Sequence, residues 1–414
     1  MGHSHSHQVP PRVMRTLVIA VVPFLIATVV GLVLLWPADT RGDLAPAGPR
    51  PDQYSGTVTD VAAGTCEGVA QGDAFVCSEV SVRLDEGPDA GDTVSFRYAR
   101  GRGASPVENG DRVTLAHFPD AQEGLTYQFV DFERSLPLVI LAIVFAVFVV
   151  ATSRWRGLTA LTGLAMSIVI LTNFMLPAIL SGESPIAVAV VGSAAVMFVA
   201  LYLAHGFNAS TTTAVLGTLA SLALTAGLAL LFVEMANFTG LSSEEAGFLQ
   251  VSADQINLEG LLLGGIIVGA LGVLDDVTVT QASAVWEIHA ANPDMGARDL
   301  YRSALRIGRD HIASTVNTLV LAYAGASLPL LLIFSLSDQG VGQIIGSEVM
   351  AEEVVRTLVG SIGLVASVPI TTALAVVTVS HHHPETSEPR ERPRKERRAK
   401  EWHPPRAERE WGDG

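Results

Sequence analysis

Eight runs of roughly 17 to 25 predominantly apolar residues constrain this chain more than any other feature, because each is long enough to cross the hydrocarbon core of a bilayer. They fall at about 17–36, 136–153, 158–180, 185–204, 211–233, 260–281, 312–336 and 355–379. With 49% of its 414 residues hydrophobic, the chain has far more apolar length than a soluble core of its size needs. It reads as an α-helical polytopic membrane protein with about eight transmembrane helices.

Lys and Arg in short connections resist translocation and so set orientation. Arg12 and Arg15 precede span one, Arg154 and Arg156 separate spans two and three, and Arg298, Arg302, Arg306 and Arg309 lie between spans six and seven. Placing all of these on one side puts both termini in the cytoplasm. The net charge of −15 is then unevenly shared, since residues 37–135 hold 17 acidic and 8 basic side chains. Further acids, among them Glu244, Glu245, Glu348, Glu352 and Glu353, fall in the later loops on that same outer side. An acidic face concentrates cations, although solubility alone accounts for such a pattern.

Five segments follow: a cytoplasmic stretch 1–16, a signal-anchor helix 17–36, an extracytoplasmic β domain with its linker 37–135, a seven-helix membrane domain 136–379, and a nearly charge-balanced tail 380–414. Alternation in Val80-Ser81-Val82-Arg83-Leu84 and Val94-Ser95-Phe96-Arg97-Tyr98 marks half-buried strands. Runs at 54–61, 112–118 and 126–132 bring the expected count to five, which suits a small β-barrel of OB-like type. Cys66 and Cys77, the chain's two cysteines, both fall there, and outside the cytoplasm they are expected to form a disulfide.

Span six carries the chemistry. At helical spacing Gly265, Gly269, Gly272, Asp276, Thr280, Ser283 and Glu287 share one face, a stripe of small residues that becomes polar toward one end. Gly265 and Gly269 form a GxxxG pair of the kind that packs helices closely. Carboxylates near hydrocarbon are costly and generally functional. Asp275 and Asp276 are adjacent and point about 100° apart, so they cannot share a role. The stripe favours Asp276, and the alternative is that both acids simply sit at the interface. His311, Asn317, Thr318 and Tyr323 lie in the matching half of span seven, and the hydroxyl, amide and carboxylate oxygens of the two spans suit hard cations or protons. Arg298, Arg302, Arg306 and Arg309 repeat on a helix expected to lie at the membrane surface against lipid phosphates. His3, His5 and His7 alternate near the N-terminus and offer a loose metal site.

The segments Gly269-Ala270-Leu271-Gly272-Val273-Leu274-Asp275-Asp276, Ala282-Ser283-Ala284-Val285-Trp286-Glu287-Ile288 and Asn317-Thr318-Leu319-Val320-Leu321-Ala322-Tyr323-Ala324-Gly325 resemble the YibE/F family of bacterial multipass membrane proteins. So does Pro369-Ile370-Thr371-Thr372, and the resemblance spans roughly 130–380. It implies a plasma-membrane location and places the motif acid at Asp275. It supplies no substrate.

No P-loop, H-E-x-x-H or G-x-S-x-G pattern occurs, so an enzyme is not expected and no cofactor is named by the sequence. The expected function is permease-like movement of a small solute or cation through spans six and seven. The alternative is a non-transporting scaffold whose outer domain binds a protein partner. Either implies the lipid bilayer as a partner, is compatible with an oligomer, and gives no role to nucleic acid.

Overall fold

A computed structural model of the chain describes residues 11–37, 51–63, 75–101, 105–121, 126–253, 255–337 and 340–380. His3, His5, His7, Cys66 and the C-terminal tail lie outside the described residues. Helix α1 (Pro11–Leu34) leads into five strands, β1 (Asp52–Ala63), β2 (Phe75–Leu84), β3 (Thr93–Gly101), β4 (Arg112–His117) and β5 (Tyr127–Phe132). Each strand expected from alternation is present.

The strands form one antiparallel sheet in the order β3-β2-β1-β4-β5. Period-two burial is visible on β2, where Val80, Val82 and Leu84 are fully buried while Ser81 and Arg83 are not. Val58, Phe96, Val107, Val113, Leu115 and Tyr127 complete the core. A bulge between Val58 and Asp60 and another between Thr114 and Leu115 bend the sheet. The two edge strands consequently approach, with the Phe129 ring on β5 stacked 5.9 Å from Phe96 and edge-on 5.0 Å from Tyr98 on β3. Gly87 closes the β2–β3 connection at φ +100°, where a Cβ would also strike the Tyr54 ring at 2.7 Å.

Tyr127 is 5% exposed and donates its hydroxyl proton to Asp89 Oδ2 at 2.7 Å. Burial, then the Asp89 hydrogen bond and charge, push its pKa well above the usual phenol value. A folded-state pKa raised above the unfolded one gives stability that is complete below pH ~10 and is lost as pH rises further. Tyr127→Phe should therefore cost about 1 kcal/mol at neutral pH and flatten the alkaline limb of a chemical-denaturation series monitored on the sheet. An unchanged alkaline limb would exclude this account.

The remaining helices are α2 (Ser135–Ser153), α3 (Trp155–Ile170), a π-helical turn (Leu171–Met175), α4 (Leu176–Leu180), α5 (Pro185–His205), α6 (Ala209–Ala236), α7 (Glu244–Ser252), α8 (Leu258–Ala291), α9 (Ala297–Ala326), α10 (Leu328–Ser335), α11 (Val341–Ile345) and α12 (Glu348–Ser380). Seven spans among the described residues are long and apolar enough to cross a membrane, counting α3 through α4 as one. The bent pair α9–α10 makes an eighth if it is taken as a single crossing. Here the sequence expectation needs correcting: the apolar run 312–336 is not one straight span. It turns through 65° between α9 and α10, where Pro329 sits in the first turn of α10 and disfavours helical geometry in the residue before it. The basic segment is likewise no separate surface helix, because α9 runs unbroken from Ala297. Its Leu300 is buried in one cluster with Val376 and Val379 of α12.

Helices α6, α8 and α12 pack together along their lengths, with α5 against α8 and α9 against α12. Small residues permit this. A Cβ on Gly217 of α6 would fall 2.3 Å from Thr371 Oγ1, and one on Gly363 of α12 would fall 2.0 Å from Thr225 Oγ1. Helix starts are capped by side chains: Asn208, Ser243 and Asn257 accept hydrogen bonds from Thr211, Ala246 and Gly260 N–H groups. By contrast α2 packs on α3 and buries none of its residues.

Candidate functional site

Polar side chains gather where α6, α8 and α12 meet. From α6 come Thr213, Thr218, Ser221 and Thr225, from α8 Thr278 and Gln281, and from α12 Ser367, Thr371 and Thr372, all 5% exposed or less. In an α-helix a Thr or Ser hydroxyl can donate to the carbonyl four residues back, and most of these do. Thr213 bonds Ala209, Ser221 bonds Gly217, Thr225 bonds Ser221 and Thr372 bonds Val368, at 2.6–2.9 Å. With their protons turned into their own helices, the hydroxyls present oxygen lone pairs to the seam. Oxygen lone pairs of this kind accept hydrogen bonds and are the ligand type that hard cations take.

Asp275 stands on this seam. Thr218 Oγ1 and Thr278 Oγ1 are 2.6 Å apart across the α6–α8 contact, and Thr278 also reaches the Asp275 carbonyl at 3.1 Å. The Thr218 side chain is within hydrogen-bonding reach of the Asp275 carboxyl. Oδ1 of Asp275 has no partner among the described residues, and neither has Thr371 Oγ1. Toward the next turn Gln281 Nε2 donates to Thr372 Oγ1 at 2.7 Å and to the Ala304 carbonyl at 3.0 Å, tying α8 to α12 and α9. Gly308 makes room, since a Cβ there would fall 2.7 Å from Gln281 Oε1.

The other expected residues are placed differently. Asp276 and Thr280 are exposed on the surface of the bundle, as are Gly265, Gly269 and Gly272. A Cβ on Gly265 or Gly272 would meet nothing within 4 Å, so the GxxxG pair is not a close helix contact here. Of these three glycines only Gly269 has α9 close by, since a Cβ there would lie 3.4 Å from the Tyr323 hydroxyl, an ordinary contact. Asn317 and Thr318 are exposed, and Thr318 donates to the Ser314 carbonyl at 3.0 Å. His311 is half-buried with Nε2 unpartnered among the described residues. Arg298, Arg302, Arg306 and Arg309 are all exposed along one end of α9. Among the described residues, no cluster of three His, Cys, Asp or Glu side chains could hold a metal ion.

Sequence reasoning therefore named Asp275 but missed Thr218, Thr278, Gln281 and Ser367, which are buried on the same helices α6, α8 and α12. A signal existed for some, since Thr211-Thr212-Thr213, Thr218, Ser221 and Thr225 recur at helical spacing in span five.

Long apolar helices around a polar three-helix seam define the class: a multi-helix membrane protein. A family model described as YibE/F-like protein matches residues 141–381, more than half of the chain, and the chain belongs to that family. Comparison with curated proteins and with solved structures returned no match.

Proposed function

We propose that this protein is a permease-like transporter of a small cation, with Asp275 as the group in the membrane that binds and releases it. The unpartnered Oδ1 of Asp275, set among hydroxyls whose lone pairs face the same seam, carries the reading. The pathway then follows α6, α8 and α12, with α9 closing one side through Gly308, rather than the α8–α9 face alone. Charge movement on solid-supported membranes after jumps of Na⁺, K⁺, Mg²⁺ or n-butylammonium tests it. If reconstituted wild-type protein moves charge for none of these cations, the reading fails.

In the same proposal the sheet lies outside the plasma membrane in OB-like form, and the end bearing Arg154, Arg156 and Arg298 faces the cytoplasm. Cys77 lies buried on β2 opposite Ala99, and a bond to Cys66 would staple this small sheet. Mass spectrometry under alkylating, non-reducing conditions should find both thiols blocked from labelling, and Cys77→Ser should lower the stability of the sheet by about 2–4 kcal/mol. Full labelling of native protein would reject both the bond and the oxidising location.

A scaffold role is the second reading, favoured by α2, which packs on α3 but buries none of its residues and so leaves most of its surface free to meet another protein. Deleting residues 52–132 should then abolish function while Asp275→Asn does not, the reverse of the transport expectation.

A further inference from the structure

A cavity of about 630 Å³ opens at the end of the bundle where α7, the start of α8, the α9–α10 bend and the start of α12 converge. It is separate from the Asp275 seam, because Gly265, the deepest α8 residue on its wall, lies ten residues and so roughly 15 Å along the helix from Asp275. Glu245, Glu352, Glu353 and Arg356 supply its charges, and Leu249, Leu261 and Leu330 supply much of its apolar wall.

Two carboxylates at the start of α12 are used in contrasting ways. Glu348 is engaged: one oxygen accepts from the Thr239 N–H and hydroxyl and from the Gly240 N–H, at 2.6, 2.7 and 3.2 Å, fastening the loop after α6. Glu352 is only half engaged. It is 7% exposed, its Oε2 accepts from the Ser242 hydroxyl at 2.6 Å, and its Oε1 has no partner among the described residues. Arg356 does not supply that partner: its Nη1 is paired with Glu353 at 2.9 Å, and its Nε has no partner among the described residues. A buried carboxylate oxygen without a donor is costly to leave so, and this one belongs to a residue that lines a cavity roomy enough for a guest.

We propose that this cavity binds a small organic cation, a protonated primary amine whose ammonium donates to Glu352 Oε1 and whose carbon chain lies along Leu249, Leu261 and Leu330. The volume is far larger than a dehydrated metal ion needs, and half-apolar walls favour a carbon frame over a hydrated ion. An ammonium brings three donors to a cavity whose charged lining is three carboxylates, Glu245, Glu352 and Glu353, against the single guanidinium of Arg356. Resting on the transport reading, this names the class of substrate which that reading left open.

The test is equilibrium binding to the full-length protein in nanodiscs, titrated calorimetrically with n-butylammonium, with its neutral counterpart n-butanol, and with Mg²⁺, empty nanodiscs being subtracted. Saturable n-butylammonium binding is expected, with n-butanol and Mg²⁺ at least ten-fold weaker. Glu352→Gln should weaken the amine at least ten-fold and Glu352→Asp less. Should Glu352→Gln fail to fold, exposed Glu245→Gln on the opposite wall should still cost several-fold. Equal binding of n-butanol, preference for Mg²⁺, or amine affinity untouched by these changes would each overturn the proposal. Binding without charge movement would sink the transport reading and leave this site standing.

Discussion

Asp275→Asn should leave a folded bundle that moves charge at least ten-fold more slowly than wild type, whereas Asp276→Asn should stay within about twofold. Asn keeps the shape of Asp and an acceptor for Thr218, so the contact across α6 and α8 survives and the stability change should be about 1 kcal/mol or less. What is lost is a carboxyl able to exchange a proton or offer two anionic oxygens. Asp276, one residue on, points to the bundle surface and touches none of the seam. Reconstituted variants compared by the same cation jumps, with thermal unfolding as the folding control, decide the matter. Equal loss in both variants would mean that neither carboxyl acts through the seam.

Gly363→Ala should destabilise the protein by about 1–3 kcal/mol through overpacking, a larger effect than any other single methyl addition discussed here. The added Cβ would sit 2.0 Å from Thr225 Oγ1, and that hydroxyl is held by its 2.9 Å bond to the Ser221 carbonyl. A β-branched side chain in a helix has few rotamers to escape into, so α6 and α12 must separate. Thr225→Ala in the same chain should restore most of the loss. Gly265→Ala and Gly272→Ala provide the contrast: with open space around both, each should be neutral or slightly stabilising, since Ala favours a helix by up to ~1 kcal/mol over Gly. Thermal unfolding in detergent measures all four, and a Gly265→Ala loss exceeding that of Gly363→Ala would contradict this packing.

The contrast between these glycines also shows what the sequence could and could not convey. Length and apolarity located the spans, and period-two alternation together with three further short runs located the five strands, because these signals are local. Choosing the inward face of α8 was not local. In a membrane the outer surface of a helix is as apolar as its core, so Leu274 and Val277 on the buried side carry no mark that separates them from lipid-facing residues. The small-residue stripe looked like the packing face, and it selected Asp276. The structure instead buries the larger apolar side chains and turns the stripe outward, which puts Asp275 on the seam. The bend after Ala326 was hidden for a related reason: hydropathy runs on through it, and Pro329 was the sole local sign.

Helix α9, at 30 residues, is about 45 Å long, against roughly 30 Å of hydrocarbon. The excess must be taken up by tilt or by protrusion, and exposed Arg298, Arg302, Arg306 and Arg309 at one end make protrusion there inexpensive. Were that end anchored among lipid phosphates, bilayer thickness would set the depth of the Ser327 bend at the other. A thin membrane brings the bend and the cavity beside it out toward water; a thick one draws them toward hydrocarbon. Lipid composition thus becomes a variable acting on the cavity from the far side of the membrane.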